Sequence, residues 1–247
     1  MTLTISYVLP VYNDAATIGE VVRRITERIA VYPGSDVVLI ENASTDESAA
    51  VIESLADTAS NGGVTVRSCR SRKGIGMAWR AGIPLASGEL VVLTASDLPF
   101  GFSDLDAALD MDPTPPLIIG SKAHPGSRVE VDRVRLIISR GFRVIRGVLL
   151  GLWQGDTQGS LLINGPLLRS LLPDLECADY LIATEIVMES VRRGVVPREV
   201  PIEYPRPTQR STVSPVVDSL RMLAGLMRLR RRLRRRTRAL RATGTGR

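Results

Sequence analysis

Three short polar clusters, each following an apolar run, contain the first residues of this sequence that could perform chemistry. They are Tyr12-Asn13-Asp14, Glu41-Asn42 and Ala95-Ser96-Asp97. Carboxylates bind Mg²⁺ or Mn²⁺ through oxygen, and they accept hydrogen bonds from the N–H and O–H groups of a base or a ribose. Three such clusters are therefore candidates for a ligand site.

The apolar runs before these clusters predict strands over residues 5–10, 37–40 and 90–94. Between the first two, apolar residues recur at helical spacing over residues 18–29, and Ser44 is expected to open a second helix. Strands and helices that alternate with short connections favour a mostly parallel, doubly wound α/β sheet with flanking helices. Ligands of such sheets bind beyond the carboxyl ends of the strands, so we expect the three clusters to form one site.

The second half of the sequence is less regular. It predicts strands over 117–120 and 198–204, helices over 129–152 and 178–193, and a polar loop over 155–159. After a loop rich in proline and arginine, a final helix begins at Val216. We therefore divide the chain into a catalytic domain over residues 1–215 and an amphipathic helix with an arginine-rich tail over residues 216–247.

The net charge of +6 comes from the tail and not from the body of the protein. Residues 228–247 contain ten arginines and no acidic residue, which leaves the remaining residues with a charge of −4. The tail has no interleaved aromatic residues and the body is acidic, so nucleic acid is not an expected partner. Two interpretations stay open, a solvated tail and peripheral attachment to an anionic membrane surface.

Several other classes of protein are disfavoured by the sequence. No run reaches the roughly 18 apolar residues of a membrane span, and the N-terminus lacks the basic segment of a signal peptide. We therefore expect a cytoplasmic protein, with peripheral attachment at the inner membrane face as an option. The G-x-G-x-x-G pattern is missing between the first strand and helix, which argues against a nicotinamide cofactor. The G-x-G-x-R-x-x-P-x-T type of loop is missing as well, which argues against a nucleotidyltransferase.

Seven segments, in the correct order, resemble motifs of the family-two glycosyltransferases with the GT-A fold. Residues 9–14, 40–46, 72–78 and 86–93 resemble P-x-Y-N-E, V-D-D-G-S-T-D, N-x-G-K-G-x-A and A-x-G-D-x-V-x-F/L. Residues 139–142, 155–158 and 193–202 resemble S-R-x-F, D-T-Q-C-G and R-G-Y-x-I-x-E-V-P-V. The last three are similar to the polyprenyl-phosphate (dolichyl-phosphate) mannose/glucose synthase branch.

The resemblance implies a metal-assisted hexosyltransferase that uses a nucleotide-sugar, with UDP-sugar favoured and GDP-sugar possible as donor. The acceptor would be a hydroxyl or phosphate group, on polyprenyl phosphate or on a small soluble molecule. Asp97 would ligate Mg²⁺ or Mn²⁺, while Asp156 and Glu185 would be catalytic. The residues implied for the nucleotide-sugar are Pro10, Tyr12, Asn13, Asp14, Glu41, Asn42, Lys73, Ser96, Asp97, Arg206 and Arg210.

The sequence departs from the family motifs at polar positions. Ala95 replaces the first carboxylate of the D-x-D motif, and Asn42 replaces the second residue of an acidic pair. These changes keep open a second function, a nucleotide-sugar-binding protein without turnover. Glu41 is expected to be available to a ligand because Ser44 is the better helix cap. Glu185 has a simpler alternative, a solvated helix face that it would share with Glu189.

Overall fold

Strands and helices alternate through the first hundred residues, as the sequence pattern predicts. The structure is a computed structural model that describes residues 3–57, 63–129, 133–153, 159–204 and 223–232. The first elements are β1 (Ile5–Val11), α1 (Ile18–Ile29), β2 (Asp36–Glu41), α2 (Ser48–Asp57), β3 (Thr65–Arg70), α3 (Ile75–Gly82), a 3₁₀ turn (Ile83–Leu85) and β4 (Leu90–Leu93). The helix expected from Ser44 thus begins four residues later, at Ser48.

The second half contains more elements than the sequence analysis predicts. They are α4 (Ser103–Leu109), β5 (Leu117–Gly120), β6 (Arg128–Val129), α5 (Arg133–Leu150), β7 (Leu161–Asn164), α6 (Gly165–Leu171), a 3₁₀ turn (Leu172–Asp174), α7 (Leu181–Arg192), β8 (Arg198–Val200) and β9 (Glu203–Tyr204). The elements α4, β6, β7 and α6 have no counterpart in the sequence prediction. The single strand expected over 198–204 is two strands, which belong to different sheets.

The main sheet has seven strands in the order β3-β2-β1-β4-β7-β5-β8. β1 pairs in parallel with β2 and β4, and β2 with β3. β7 is antiparallel to both of its neighbours, β4 and β5, and β8 is again parallel to β5. The short strands β6 and β9 form a separate parallel pair. The prediction of a mostly parallel α/β sheet is confirmed, with one reversed strand inserted.

The centre of the sheet is buried on both faces. Every residue of β1 except Pro10 is buried, which explains why this strand reads as a continuous apolar run. On one face, α1 packs the side chains of Ile18, Val21, Val22, Ile25 and Ile29 against the sheet. Burial of such side chains stabilises the fold by about 1.5–3 kcal/mol each, so the carboxyl edge of the central strands has a rigid base.

The chain divides into two compact units. The first comprises Met1–Val129 and Asp156–Pro205, and the second comprises Glu130–Gly155 and Arg206–Arg247. In the second unit the structure describes α5 and a helix over residues 223–232, in which Leu226 and Leu229 are buried. The domain boundary predicted after residue 215 lies outside the described residues and stays a prediction. Among the described helices, none combines the length and the apolar character that crossing a bilayer requires.

Candidate functional site

The three polar clusters leave the same edge of the sheet. β1 is in register with β2 so that Val11 lies opposite Glu41, and it is in register with β4 so that Val8 lies opposite Leu93. Because all three strands are parallel, the loops that follow them emerge side by side. The structure therefore brings together the clusters that the sequence places far apart, as the sheet rule predicts.

Asn13 links the loop after β1 to the loop after β2. Its side-chain oxygen accepts a hydrogen bond from the backbone amide of Thr45 at 2.7 Å, and its backbone amide donates to the Ser44 hydroxyl at 3.2 Å. Its backbone is in the left-handed region (φ 52°), where asparagine is tolerated better than most residues. The Asp14 amide adds a bond to the Ser48 hydroxyl at 2.8 Å. Because Ser44 and Thr45 take part in these bonds, α2 begins at Ser48 and not at Ser44.

Asp14 also connects β1 to the loop after β4. One of its carboxylate oxygens accepts a hydrogen bond from the Ser96 hydroxyl at 2.8 Å, and the other accepts from the hydroxyl of Thr17. Asp97 is the next residue, and its side chain is exposed. Partial desolvation and the neighbouring Asp14 carboxylate raise the pKa of Asp97, while Lys122 acts in the opposite direction. A carboxylate placed in this way gains from a bound cation.

Glu41 and Asn42, at the end of β2, hold two different loops. Glu41 accepts a hydrogen bond from the Ser44 amide at 2.6 Å, so one of its oxygens is already used. Ser44 does not cap α2, which begins at Ser48, while the second carboxylate oxygen of Glu41 keeps its predicted availability to a ligand. Asn42 is buried, and its side-chain oxygen accepts from the Gly74 amide at 2.9 Å. Their predicted contacts with a nucleotide stay predictions.

Lys73 lies against Tyr12 at the entrance to this edge. The Lys73 ammonium donates to the Tyr12 hydroxyl at 2.8 Å and lies 4.3 Å from the centroid of the ring. The contact is both a hydrogen bond and a cation–π interaction. Pro10 is half-buried inside β1, two residues before Tyr12. A cation and an aromatic ring thus lie next to the loops that carry Asn42 and Asp14.

The glycines after Lys73 allow a loop from the second half of the chain to approach closely. The Gly76 amide donates to the Ala178 carbonyl at 3.0 Å. A Cβ atom on Gly76 would lie 2.2 Å from the Cys177 carbonyl oxygen, and one on Gly74 would lie 2.4 Å from the Ala178 carbonyl oxygen. Both glycines are therefore required by backbone packing.

The side chain of Glu185 holds the backbone of the loop that approaches these glycines. Its side chain is 1% exposed, and one carboxylate oxygen accepts hydrogen bonds from the amides of Glu176 (2.9 Å) and Cys177 (2.8 Å). Glu189 is buried as well, so the hypothesis of a solvated helix face is wrong. A catalytic role for Glu185 stays a prediction, although its burial and its two backbone partners fit a residue that positions the turn over residues 176–178.

Sequence reasoning missed Lys122, which follows β5. Its ammonium lies 5.5 Å from the ring centroid of Phe100 and 5.1 Å from that of Tyr204, and the two rings meet edge to face at 5.6 Å. β5 runs parallel to β4, because both are antiparallel to the strand between them. The rule that singled out the other clusters, a polar residue just past a parallel strand, would have identified Lys122 too.

Three predicted site residues, Asp156, Arg206 and Arg210, lie outside the described residues. Within the described ranges, no group of three or more His, Cys, Asp or Glu side chains could enclose a metal ion. The donor set at Asp97 does fit a cation that keeps part of its hydration shell. Mg²⁺ is commonly held by one or two carboxylates, substrate phosphates and water, so a single exposed carboxylate suffices when the substrate supplies the other oxygens.

The chain is similar to known proteins in both sequence and fold. Residues 6–125 match the model of "Glycosyl transferase family 2". Three similar structures are of glucosyl-3-phosphoglycerate synthase from Mycobacterium tuberculosis, bound to UDP, to Mn²⁺ with UDP-glucose and phosphoglyceric acid, and to Mg²⁺ with UDP. In that order, they share 21%, 20% and 21% identity with this chain and have TM-scores of 0.65, 0.65 and 0.63. Each match covers 92% of this chain, and the matches cover 80%, 79% and 79% of the synthase chains. The predicted GT-A fold is confirmed. The predicted Mg²⁺ or Mn²⁺ agrees with the ions named for these structures.

Proposed function

We propose, from the premise that residues 6–125 match the model of glycosyl transferase family 2, that the protein transfers a hexose from UDP-sugar to an acceptor that carries a phosphate group. The observation that carries the proposal is the shared edge of β1, β2 and β4. Hydrogen bonds of Asn13 and Asp14 connect the loops that follow these strands. The same loops and their neighbours carry Tyr12, Asn42, Lys73 and Asp97. UDP-glucose is the favoured donor, because the synthase with the same fold was crystallised with it.

Binding of the donor tests this proposal directly. Calorimetric titration with UDP, GDP and their sugars, with and without Mn²⁺, should give saturable binding of at least one of them. Lys73→Met should weaken that binding, since the cation beside Tyr12 then no longer faces the diphosphate. The absence of binding at millimolar concentration for every nucleotide would reject the proposal.

Asp97 would hold the Mg²⁺ or Mn²⁺ ion, and Ser96 would fix the approach of Asp14 to the same loop. When bound, the cation would offset the charge that builds on the diphosphate as it leaves. In the transfer, the acceptor oxygen forms a bond to the anomeric carbon, and the bond from that carbon to the β-phosphate oxygen breaks. When the acceptor is a hydroxyl, its proton must be removed, and we propose Asp156 for that step on the strength of the family motif; an ionised phosphate oxygen attacks without this step.

The acceptor side of the proposal depends on Lys122. This cation is held between Phe100 and Tyr204 and interacts electrostatically with Asp97, so it is available for a phosphate near the reaction centre. The phosphate could come from a polyprenyl phosphate or from a small molecule such as the phosphoglyceric acid bound by the synthase. Lys122→Met should raise KM for the acceptor and leave KM for the donor nearly unchanged. Activity with only one of the two acceptor types would identify the source.

A second candidate function rests on Ala95, which removes one carboxylate from the metal motif. The protein would then bind a nucleotide-sugar without turnover. A hydrolysis screen over UDP- and GDP-sugars, with and without Mn²⁺, separates the two functions. Sugar release that depends on the metal favours the enzyme, whereas tight binding without any release favours the binding protein.

We also propose that the arginine-rich tail attaches the protein to an anionic membrane. Residues 228–247 carry ten arginines and no acid, and each basic residue near such a surface contributes about 1 kcal/mol. Deletion of residues 228–247 should abolish salt-sensitive sedimentation with anionic vesicles and leave nucleotide binding intact. Equal sedimentation of both forms would reject the attachment and favour a soluble acceptor.

A further inference from the structure

The end of α5 presents apolar side chains that the fold leaves exposed. Val144, Ile145 and Val148 are 55%, 40% and 65% exposed, and Trp153, just after the helix, is 63% exposed. The Trp153 ring lies on the helix at Gly147, where an added Cβ atom would meet ring atoms at 2.6–2.8 Å. Positions 144, 147 and 148 are neighbours on a helix surface, so these side chains form one patch, the α5 face (Val144, Ile145, Val148 and Trp153).

This patch belongs to a strongly basic part of the chain. The unit formed by Glu130–Gly155 and Arg206–Arg247 contains 18 arginines, no lysine and three acidic residues, a formal charge of +15. The rest of the chain has a formal charge of −9. An arginine-rich sequence combined with an exposed tryptophan and valines is typical of helices that lie in the interface of anionic membranes.

We propose that the α5 face inserts into the headgroup region of an anionic bilayer, with Trp153 at the level of the headgroups. This inference deepens the membrane attachment proposed for the tail and assigns the apolar contact to a different, folded element. The chemistry requires two contributions. Arginines attract the protein to negatively charged headgroups, and burial of valine and tryptophan surface then provides affinity that salt does not remove.

The charge of this unit argues against the other occupants of the patch. A symmetric dimer through the α5 face would bring two units of +15 together, because a two-fold interface uses the same surface of both copies. A nucleic acid would satisfy the arginines but offers no apolar surface to Val144 and Val148. An anionic bilayer satisfies both the charge and the apolar side chains.

Tryptophan fluorescence of the full chain tests insertion directly. The protein has two tryptophans, and Trp79 is 4% exposed, so it serves as an internal reference. Vesicles of phosphatidylcholine with phosphatidylglycerol should shift the emission of Trp153 to shorter wavelength, and brominated lipid should quench it. Trp153→Phe should remove both responses. An unchanged emission in vesicles that demonstrably bind the protein would overturn the proposal.

A matched pair of variants tests the apolar contribution. Val148→Asp should weaken binding to the anionic vesicles about tenfold, as expected from losing the burial of one valine. Val196→Asp, at a valine of the other unit that is 75% exposed, should bind like the parent. Equal binding by Val148→Asp and the parent would overturn insertion. So would a change only in self-association or in RNA binding.

Nucleotide binding by the same variants separates this inference from the proposed enzymatic function. Calorimetric titration with UDP should give the same affinity for the parent, Val148→Asp and Val196→Asp, because neither valine is among the residues proposed to bind the nucleotide-sugar. If the parent binds vesicles but no nucleotide, the proposed function fails and the membrane inference stands. If it binds nucleotide but no vesicles, the reverse holds.

Discussion

Replacement of Glu185 distinguishes a positioning residue from a catalytic one. The carboxylate accepts two backbone hydrogen bonds, from Glu176 and Cys177, in a fully buried setting. A hydrogen bond to a charged group contributes about 1.5–3 kcal/mol, so Glu185→Ala should lower the free energy of unfolding by roughly 3–6 kcal/mol. Glutamine keeps an acceptor oxygen without the charge. Two neutral bonds of about 0.5–1.5 kcal/mol each retain roughly 1–3 kcal/mol, so Glu185→Gln should lose only roughly 2–3 kcal/mol.

Kinetics of the same variants give the second readout. The turn that Glu185 holds packs on Gly76, three residues after Lys73, so Glu185→Gln should raise KM for the donor and change kcat by no more than a few-fold. General acid–base catalysis contributes about 10²–10⁴-fold in rate, and glutamine cannot supply it. Glu189→Gln is the control, since Glu189 is buried in the same helix and pairs with Arg192.

Guanidinium denaturation followed by circular dichroism, together with initial rates at varied donor concentration, measures both quantities. A positioning role is refuted if Glu185→Gln loses a hundredfold or more in kcat while its unfolding free energy and donor KM match those of the parent. That result would restore the catalytic role that the family motif implies for Glu185.

Three further outcomes are expected. Gly76→Ala should lower the free energy of unfolding by more than about 2 kcal/mol, because the added Cβ atom would overlap a backbone carbonyl. Gly19 has open space around it, so Gly19→Ala should be neutral or stabilising in the same denaturation experiment. Asp97→Ala should reduce turnover by orders of magnitude in Mn²⁺, and full activity of that variant or of the parent in chelator would remove the metal role. Burial raises the pKa of Asp104, so its ionisation opposes folding once the pH rises through that pKa. Asp104→Asn should therefore be more stable than the parent in thermal melts at pH 7. This gain in stability should be lost below about pH 3.9, where the unfolded chain is also protonated.

The parallel half of the fold could be predicted because its signals are local. β1 and β2 are buried on both faces and read as uninterrupted apolar runs, and α1 has one apolar stripe. β7 and α6 were missed because the strand has only four residues and passes directly into the helix. A signal was present. Asn164 caps α6 by accepting from the Leu167 amide at 3.0 Å, and Pro166 lies in the first turn.

The site could be predicted in its location but not in the partners of its side chains. Asn13 bonds to Thr45 across 32 residues, and Glu185 reaches a turn that contacts Gly76 in a distant part of the chain. No local pattern reports such pairings, because they arise only when the strands are in register. The buried setting of Glu185 has the same origin, since residues 181–190 of α7 are all buried and show no polar face.

The reversed direction of β7 has a consequence for how this architecture can diversify. Leu161 begins β7 opposite Leu93, the last residue of β4. Because β7 is antiparallel to β4, the start of β7 lies at the same edge of the sheet as the ends of the parallel strands. Insertions or replacements ahead of Leu161 can therefore reshape one side of the reaction edge while the pairing of β1, β2 and β4 stays intact. Under the proposed function, selectivity for the acceptor and recognition of the nucleotide would then be encoded in separate stretches of chain, which evolution or an engineer can alter one at a time.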